Sequence, residues 1–189
     1  MNFKKNIILA SKSPRRSQLL SEAGIPFVVK AKEVDESYPA DLPLKDVAAF
    51  IARKKADASR ELIGPNDILL TADSIVLLDN KVYEKPKDEA DAFRILSDLS
   101  GSVHEVITGV CMLDDKKEFT FSGVSRVHIE PLSPEEINYY IKTFQPYDKA
   151  GAYAIQEWIG LCKISKIEGT YTNIMGLPVD LVYKALVNW

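Results

Sequence analysis

Two adjacent arginines, Arg15 and Arg16, stand where a helix is expected to begin. Ser13 is a residue type that caps helices and Pro14 suits the first helical position, so both arginines fall in the first turn. The helix dipole already makes that end positive, so two cations there are unfavourable unless an anion lies in front of them. Phosphate oxygens match the planar guanidinium group. The alternative is that both arginines are solvated or pair with Glu22.

The residues before this helix predict a strand, a short polar loop and then the helix itself. Residues 6–10 are apolar and indicate a short buried strand, and Ser11 and Ser13 lie in the loop that follows it. A helix entered in this way presents backbone N–H groups to an anion, and the two hydroxyl groups add further donors. The loop lacks the glycines and the Gly-Lys-Ser/Thr ending of a P-loop, so it does not indicate ordinary ATPase chemistry.

Asp73 interrupts one of the most apolar stretches of the chain, ILLTADSIVLL. An ionised carboxylate is costly to bury there, so it needs a charged partner, a metal ion or an exposed position at a cleft. Catalytic groups gather where the surroundings tune their pKa, which makes Asp73 a candidate catalytic residue. The alternative is a structural aspartate held by Thr71, Ser74 and backbone donors.

Three further charged side chains are candidates for acting with Asp73. Lys85 precedes Pro86, which restricts the backbone of both residues and helps to aim the lysine. Lys55 lies on a predicted helix, and Glu36 offers carboxylate oxygens for a hard cation such as Mg²⁺. Taken alone, each of these patterns is more typical of an ordinary solvated surface charge.

The segment DKAGAYAIQ, residues 148–156, follows neither a helical nor a strand periodicity. Gly151 among small residues permits close backbone approach, and the Gln156 amide carries both hydrogen-bond donors and an acceptor. Uracil and thymine present an N3–H donor between two carbonyl acceptors, so a glutamine amide can pair with a neighbouring donor and acceptor on that edge. The alternative is a turn with a surface glutamine.

The periodicity of the chain predicts the elements that hold these residues. Strands and helices alternate in the first half, whereas the middle predicts an antiparallel hairpin. The predicted helices cover residues 14–23, 46–62, 88–99 and 133–144, with a last one from about Pro178. The predicted strands cover residues 6–10, 27–31, 67–78, 104–113, 119–130 and 159–169. With no repeat or linker, we expect one domain over residues 1–189, of the α/β class with a mixed sheet.

The overall composition is that of an ordinary soluble protein. The chain has 189 residues, 46% of them hydrophobic, and a net charge of -3, which leaves no basic excess for duplex nucleic acid. The apolar stretch at the start is too short for a signal peptide or membrane anchor, so we expect a cytoplasmic protein without nucleic-acid or membrane partners. Cys111 and Cys162 lie in apolar stretches and are expected to be small buried side chains in a reducing compartment.

Seven segments, in order from about residue 6 to Pro178, together resemble the Maf family of nucleotide pyrophosphatases. They are ASKSPRRSQLL, VDES, ARKKA, LTADSIV, EKPKD, SGSVHEVITGV and DKAGAYAIQ. The resemblance implies a two-lobed α/β fold with an elongated mixed β-sheet and a central cleft, similar to inosine triphosphate pyrophosphatases. It also implies a homodimer that hydrolyses a nucleoside triphosphate to the monophosphate and pyrophosphate with a divalent cation, Mg²⁺ or Mn²⁺.

The resemblance further implies a role for each candidate residue. Asp73 would be the general base that activates water for attack at the α-phosphorus, or would instead ligate the metal ion, or would do both. Glu36 would help to hold the metal ion. Substrate phosphates would be bound by a loop hydroxyl and three cationic side chains, which are Ser11, Arg16, Lys55 and Lys85.

Within the family, the chain resembles the dTTP/UTP branch. Arg16, Ser74 and Gln156 fit the pattern of that branch, whereas the 7-methyl-GTP branch has a glutamate where Gln156 stands. A glutamate suits a cationic methylated guanine, and an amide suits a neutral pyrimidine. The chain departs from the family pattern at Ser74, which replaces the commoner threonine, and at Phe50, which replaces an arginine. It also has AIQE at residues 154–157, where the family has GIQG.

Two other hypotheses stay open on the sequence. The family is linked to septum formation and cell-division arrest, so one hypothesis is a nucleotide-sensing regulator that binds without turnover. The other is an enzyme of the same fold that removes modified or non-standard nucleotides more generally. A carboxylate beside the triphosphate-binding cations favours an enzyme, because a sensor has no need of it.

Overall fold

A computed structural model describes residues 3–189 of the chain. Within these residues the backbone forms seven strands and seven α-helices. The strands are β1 (Asn6–Leu9), β2 (Val28–Val29), β3 (Asp67–Leu78), β4 (Lys81–Tyr83), β5 (Val103–Leu113), β6 (Glu118–Ile129) and β7 (Ile164–Glu168). The helices are α1 (Pro14–Glu22), α2 (Val47–Ala58), α3 (Glu89–Leu99), α4 (Pro134–Phe144), α5 (Trp158–Cys162), α6 (Tyr171–Met175) and α7 (Val179–Val187).

The strands form one mixed sheet. Its order is β2-β1-β3-β5-β6-β7, and β4 pairs with β3. Strand β1 runs parallel to both β2 and β3, whereas β4 is antiparallel to β3 and β7 is antiparallel to β6. Helical crossovers join the parallel strands, because parallel neighbours need a long connection. A tight turn at Asp79 and Asn80 is enough to join the antiparallel strands β3 and β4. The predicted α/β class with a mixed sheet is confirmed.

The chain folds into two compact units, each with its own apolar core. Unit 1 comprises the chain up to Asp73 together with Thr108–Gly123 and Gly176–Trp189, and unit 2 comprises Ser74–Ile107 and Val124–Met175. In unit 1, apolar residues of β1, α2, β3 and β5 pack together, among them Ile8, Ala52, Leu69 and Cys111. In unit 2, the buried faces of α3 and α4 pack on strand residues, with Leu96, Val127 and Tyr140 in the cluster.

The elements with strong local signals lie where the sequence predicts them. Helix α4 begins with a complete capping box, in which the Ser133 side chain accepts from the Glu136 backbone and the Glu136 carboxylate accepts from the Ser133 backbone. Strand β3 is buried along nearly its whole length, as its continuous apolar run predicts. None of the helices within residues 3–189 has the length and apolar character needed to cross a membrane.

Other predictions are wrong in identifiable ways. Residues 159–169 do not form one strand: α5 covers Trp158–Cys162 and only Ile164–Glu168 is extended. A short apolar run has the same composition in a helix and in a strand, so periodicity does not separate the two. The strand expected at residues 27–31 is reduced to two residues in β2, and Cys162 is exposed rather than buried.

Helix α2 lies directly against the strands of unit 1. A Cβ atom at Gly109 of β5 would lie 2.2 Å from the backbone nitrogen of Ala49, so only glycine permits this approach. The Thr71 hydroxyl of β3 donates to the carbonyl oxygen of Ala52 at 2.7 Å. These two contacts set the position of α2, which carries Lys55.

Asp114, between β5 and β6, joins three separate parts of unit 1. Its carboxylate accepts hydrogen bonds from Lys5 Nζ at 2.7 Å, Trp189 Nε1 at 2.8 Å, and the backbone N–H groups of Lys116 and Lys117 at 2.8 and 2.7 Å. Burial opposes ionisation, but these donors outweigh it and hold the pKa of Asp114 far below its ordinary value of 3.8.

The substitution Asp114→Asn should therefore destabilise the folded protein by about 1–3 kcal/mol near neutral pH, because an amide NH₂ would face donors. A carboxylate whose pKa falls on folding contributes stability above its unfolded pKa and loses it as the pH falls towards the folded value. The stability difference between wild type and variant should shrink below pH 3.8. Urea denaturation at stepwise lower pH measures this, with Asp115→Asn as control because Asp115 is 45% exposed. A difference that does not change with pH would contradict the assignment.

Candidate active site

The Lys55 ammonium lies between two carboxylates of unit 1. Lys55 Nζ is 2.7 Å from Asp73 Oδ1 and 2.6 Å from Glu36 Oε1. The side chains of Lys55 and Asp73 are 16% and 13% exposed, whereas that of Glu36 is 45% exposed. Because both carboxylates contact one ammonium group, their oxygens lie close together. A largely buried acid thus has a fixed cationic partner and a second acid beside it.

The spacing of residues on β3 and α2 explains why Asp73 meets Lys55. Thr71 and Asp73 are two residues apart on β3, so their side chains point to the same face of the sheet. Ala52 and Lys55 are three residues apart on α2 and are neighbours on the helix surface. The bond from Thr71 to the Ala52 carbonyl therefore places Asp73 opposite Lys55. The Thr71 hydroxyl thus donates to α2 and not to Asp73. The alternative of a purely structural Asp73 expected Thr71 to hold its carboxylate.

Arg16 and Ser11 are also brought together in unit 1. Arg16 Nη1 donates to Ser11 Oγ at 3.2 Å, and Arg16 Nε donates to the carbonyl oxygen of Gly176 at 2.9 Å. Burial lowers the pKa of Arg16, while the nearby carboxylates of Asp73 and Glu36 raise it. The guanidinium stays charged, because arginine does not lose its proton in proteins. Arg16 therefore lies within electrostatic reach of the two carboxylates that contact Lys55.

The start of α1 differs in one respect from the prediction. Ser13 is the N-cap residue of α1 and Pro14 is the first helical residue, as the sequence predicts, but the Ser13 side chain makes no capping hydrogen bond. Instead the Ser13 backbone N–H donates to Ser11 Oγ at 3.2 Å. The first turn contains no acidic residue, so the positive end of the helix is not neutralised from within that turn.

The remaining predicted residues, Ser74, Lys85 and Gln156, belong to unit 2. Ser74 follows Asp73 directly along β3, and Lys85 is exposed just after β4. The Gly151 backbone N–H donates to the carbonyl oxygen of Glu84 at 3.3 Å. This bond brings the segment that contains Lys85 next to the segment that contains Gln156.

The side-chain oxygen of Gln156 is buried and has no hydrogen-bond partner among the described residues. A buried acceptor without a partner is costly, and such atoms are uncommon in folded proteins. A ligand that donates an N–H group to this oxygen would remove that cost. The amide is therefore suited to recognise a polar edge that carries a donor.

The two carboxylates that contact Lys55 are of the ligand type that a hard divalent cation takes. Nucleotide enzymes usually hold Mg²⁺ by one or two carboxylates, with phosphate and water oxygens completing the shell, and Glu36 and Asp73 supply two. Across residues 3–189, no group of three or more His, Cys, Asp or Glu side chains is arranged to hold a metal ion. Two carboxylates do not complete the coordination shell of Mg²⁺, so a cation held by Glu36 and Asp73 would take its other oxygen ligands from water or from a bound ligand.

The adjacent lysines Lys54 and Lys55 are alike in the sequence but bind different carboxylates. Lys54 Nζ contacts Asp35 Oδ2 at 2.8 Å, whereas Lys55 contacts Glu36. Hydrogen bonds from Lys54 and Ser37 lower the pKa of Asp35 to about 2. Adjacent helical residues point in different directions, so Lys54 binds the exposed loop and Lys55 turns towards β3.

Comparison with known proteins places nearly the whole chain in one family. Residues 6–189 match the family described as Maf-like protein. A curated relative from Bacteroides thetaiotaomicron, named dTTP/UTP pyrophosphatase, is 48% identical over 184 residues, which cover 97% of this chain and 95% of the relative. One of the same name from Phocaeicola vulgatus is 47% identical over 184 residues, with the same coverage.

Among solved structures, a Ham1 protein from Staphylococcus aureus is similar over 66% of this chain and 72% of that chain, with a TM-score of 0.48 and 16% identity. The family match and the full-length relatives agree with each other over nearly every residue. This chain belongs to the Maf family.

Proposed function

We propose that this protein is a nucleoside triphosphate pyrophosphatase that hydrolyses dTTP and UTP to the monophosphate and pyrophosphate. Membership of the Maf family and the dTTP/UTP pyrophosphatase names of its relatives support this activity. The observation that carries the proposal is the Lys55 ammonium held between Asp73 and Glu36. It combines a cation that can bind phosphate with a carboxylate that can accept a proton. Residues 1–189 act as one functional domain in the cytoplasm.

In this proposal the triphosphate is bound by charge. Arg16, Lys55 and Lys85 neutralise its oxygens, because planar guanidinium and ammonium groups donate several hydrogen bonds each. Ser11 and the N-terminus of α1 add neutral donors. The positions of Arg16 and Lys55 in one unit, both close to Asp73, support this assignment.

In the chemical step one proton moves, one phosphorus–oxygen bond forms and another breaks. The Asp73 carboxylate accepts a proton from a water molecule as the water oxygen bonds to the α-phosphorus. The bond from the α-phosphorus to the bridging oxygen breaks, and pyrophosphate leaves with that oxygen. Lys55 holds the Asp73 carboxylate in a fixed orientation. Glu36 and Asp73 would hold Mg²⁺ or Mn²⁺, which when bound neutralises charge on the phosphate oxygens.

The base is recognised by Gln156 in this proposal. Its buried side-chain oxygen accepts the N3–H of uracil or thymine, and its NH₂ group donates to a neighbouring carbonyl oxygen of the base. Ser74, next to the general base, completes the set of substrate-binding residues.

The substitution Gln156→Glu should lower kcat/KM for dTTP and UTP by about 10-fold or more, because the carboxylate cannot donate to a base carbonyl. Steady-state kinetics with both nucleotides measures the loss, and metal binding should change less. Gln145→Glu makes the same chemical change at an exposed position after α4 and should behave as wild type. Unchanged base preference in a competition assay would contradict the role of Gln156.

The direct test of the activity is pyrophosphate release by the purified protein. We expect release from dTTP and UTP with Mg²⁺ or Mn²⁺, and much less from CTP, 7-methyl-GTP and inosine triphosphate. Equal release across modified and unmodified nucleotides would instead favour a general house-cleaning enzyme. Tight binding of dTTP with no release of pyrophosphate would overturn the proposal and favour the nucleotide-sensing regulator.

A further inference from the structure

The segment that carries Gln156 is closed at both ends by one cluster of polar side chains, Tyr140, Lys149 and Glu157, which we call the Tyr140 clamp. Lys149 Nζ at the start of the segment lies 3.4 Å from Glu157 Oε1 at its end. The Tyr140 hydroxyl donates to Glu157 Oε2 and accepts a hydrogen bond from the Ala154 backbone N–H at 3.0 Å. All three clamp residues belong to unit 2, as does Gln156.

The clamp is a buried arrangement and not a surface ion pair. Tyr140 is completely buried in the middle of α4, and the Lys149 side chain is only 9% exposed. Burial and the neighbouring Glu157 carboxylate raise the pKa of Tyr140, so its hydroxyl keeps the proton that it donates. A buried ammonium needs a counter-charge, and Glu157 supplies it together with the exposed Asp148.

The backbone between the ends of the segment is strained and needs outside contacts to persist. Gly151 and Ala152 have φ values of 71° and 58°, and the left-handed region is unfavourable for alanine. A Cβ atom at Gly151 would lie 2.8 Å from Val76 Cγ2, so the turn is also tightly packed. Side-chain contacts outside the turn must therefore hold this conformation.

We propose that Tyr140, Lys149 and Glu157 are positioning residues for base selection, which act by holding Gln156 in place. Glu157 is the residue directly after Gln156, so the contacts of its carboxylate with Tyr140 and Lys149 restrain the chain on that side of Gln156. The hydrogen bond from Ala154 to Tyr140 fixes the same backbone two residues before Gln156. This inference rests on the proposed role of Gln156.

Two single substitutions test the clamp. Tyr140→Phe removes the hydroxyl that joins Ala154 to Glu157, and Glu157→Ala removes the carboxylate that joins Tyr140 to Lys149. Each should raise KM for dTTP and UTP by about 3- to 10-fold, the usual effect of one hydrogen bond, with kcat within about twofold of wild type. The KM for GTP should stay unchanged, so the preference for pyrimidines falls. The double variant should be no worse than the more affected single variant, because both changes break one network.

Matched controls separate positioning from general damage. Tyr139→Phe makes the same change one residue away on α4, where the tyrosine is 50% exposed, and Glu130→Gln removes an exposed carboxylate of unit 2. Both should behave as wild type. If Tyr140→Phe does not fold, Glu157→Ala still tests the clamp, because Glu157 is partly exposed and its removal leaves α4 intact.

Gln156→Ala distinguishes a failure of this inference from a failure of the proposed function. If Gln156→Ala raises KM for dTTP and UTP while both clamp variants match wild type, the positioning role is overturned and the proposed function stands. If Gln156→Ala itself leaves KM unchanged, base recognition by Gln156 fails, and the positioning role fails with it. An equal loss of kcat on every nucleotide in the clamp variants would overturn the inference in favour of a purely structural role.

Discussion

Replacing Asp73 with asparagine is expected to give a folded protein that has lost most of its turnover. Asparagine has the same shape and its side-chain oxygen can still accept the hydrogen bond from Lys55. It cannot take a proton from water, and general-base catalysis is commonly worth about 10²- to 10⁴-fold in rate. We therefore expect kcat for dTTP to fall by that factor while KM changes little. Stopped-assay measurement of pyrophosphate, together with a thermal unfolding curve, checks both parts.

Asp79→Asn is the matched control for this variant. Asp79 follows β3 in an exposed turn with a φ of 49°, a conformation that asparagine adopts readily. It should retain wild-type kcat. If Asp73→Asn folds normally and turns over at a rate near that of wild type, Asp73 is not the general base.

Replacing Lys55 with methionine should have the second-largest effect. The ammonium contacts both Asp73 and Glu36, so its removal leaves two neighbouring carboxylates without the cation that contacts both of them. Loss of one donor to developing phosphate charge typically costs about 10²- to 10³-fold in kcat. We expect a loss of that size in kcat/KM for dTTP and UTP, and a modest loss of thermal stability from carboxylate repulsion.

The same variant should bind divalent cations more tightly in the absence of nucleotide, because Lys55 no longer shares the carboxylate oxygens. A Mn²⁺ titration followed by thermal shift should therefore show a larger stabilisation of Lys55→Met than of wild type. Lys32→Met, which removes an exposed ion pair with Glu61, is the control and should change neither readout. Equal Mn²⁺ stabilisation in wild type and Lys55→Met would contradict the placement of the metal at Glu36 and Asp73.

Local patterns predict the elements of this fold better than they predict contacts between elements. The capping box of α4 and the apolar run of β3 are strong signals confined to a few neighbouring residues, and both are confirmed. Helix α5 was predicted as a strand, because its five residues are too few to show a helical period.

Contacts within the candidate site depend on packing that no short motif encodes. Lys55 meets Asp73 because α2 approaches β5 at Gly109 and is tied to β3 by Thr71, and these residues are far apart in sequence. The resemblance to the Maf family identified both partners, but the pattern of charges alone made Lys55 an ordinary surface lysine. The bond from Arg16 to the Gly176 carbonyl had no sequence signal at all.

Glu157 illustrates the opposite case, in which a departure from a pattern gained a physical meaning only from the structure. In the sequence it is an isolated glutamate after Gln156. Its partner Tyr140 lies 17 residues earlier on the buried face of α4, and the apolar periodicity of that helix predicts burial of the ring and not the contact of its hydroxyl. The Tyr140 clamp therefore follows from how α4 packs in unit 2.

The most direct measurement is a crystal structure of the protein with a UTP analogue whose bridging oxygen between the α- and β-phosphorus is replaced by nitrogen. We predict that the phosphates contact Ser11, Arg16 and Lys55, with a water molecule hydrogen-bonded to Asp73 and in line with the α-phosphorus. A triphosphate bound away from residues 11–16 and from Asp73 would contradict the proposed chemistry, however active the enzyme.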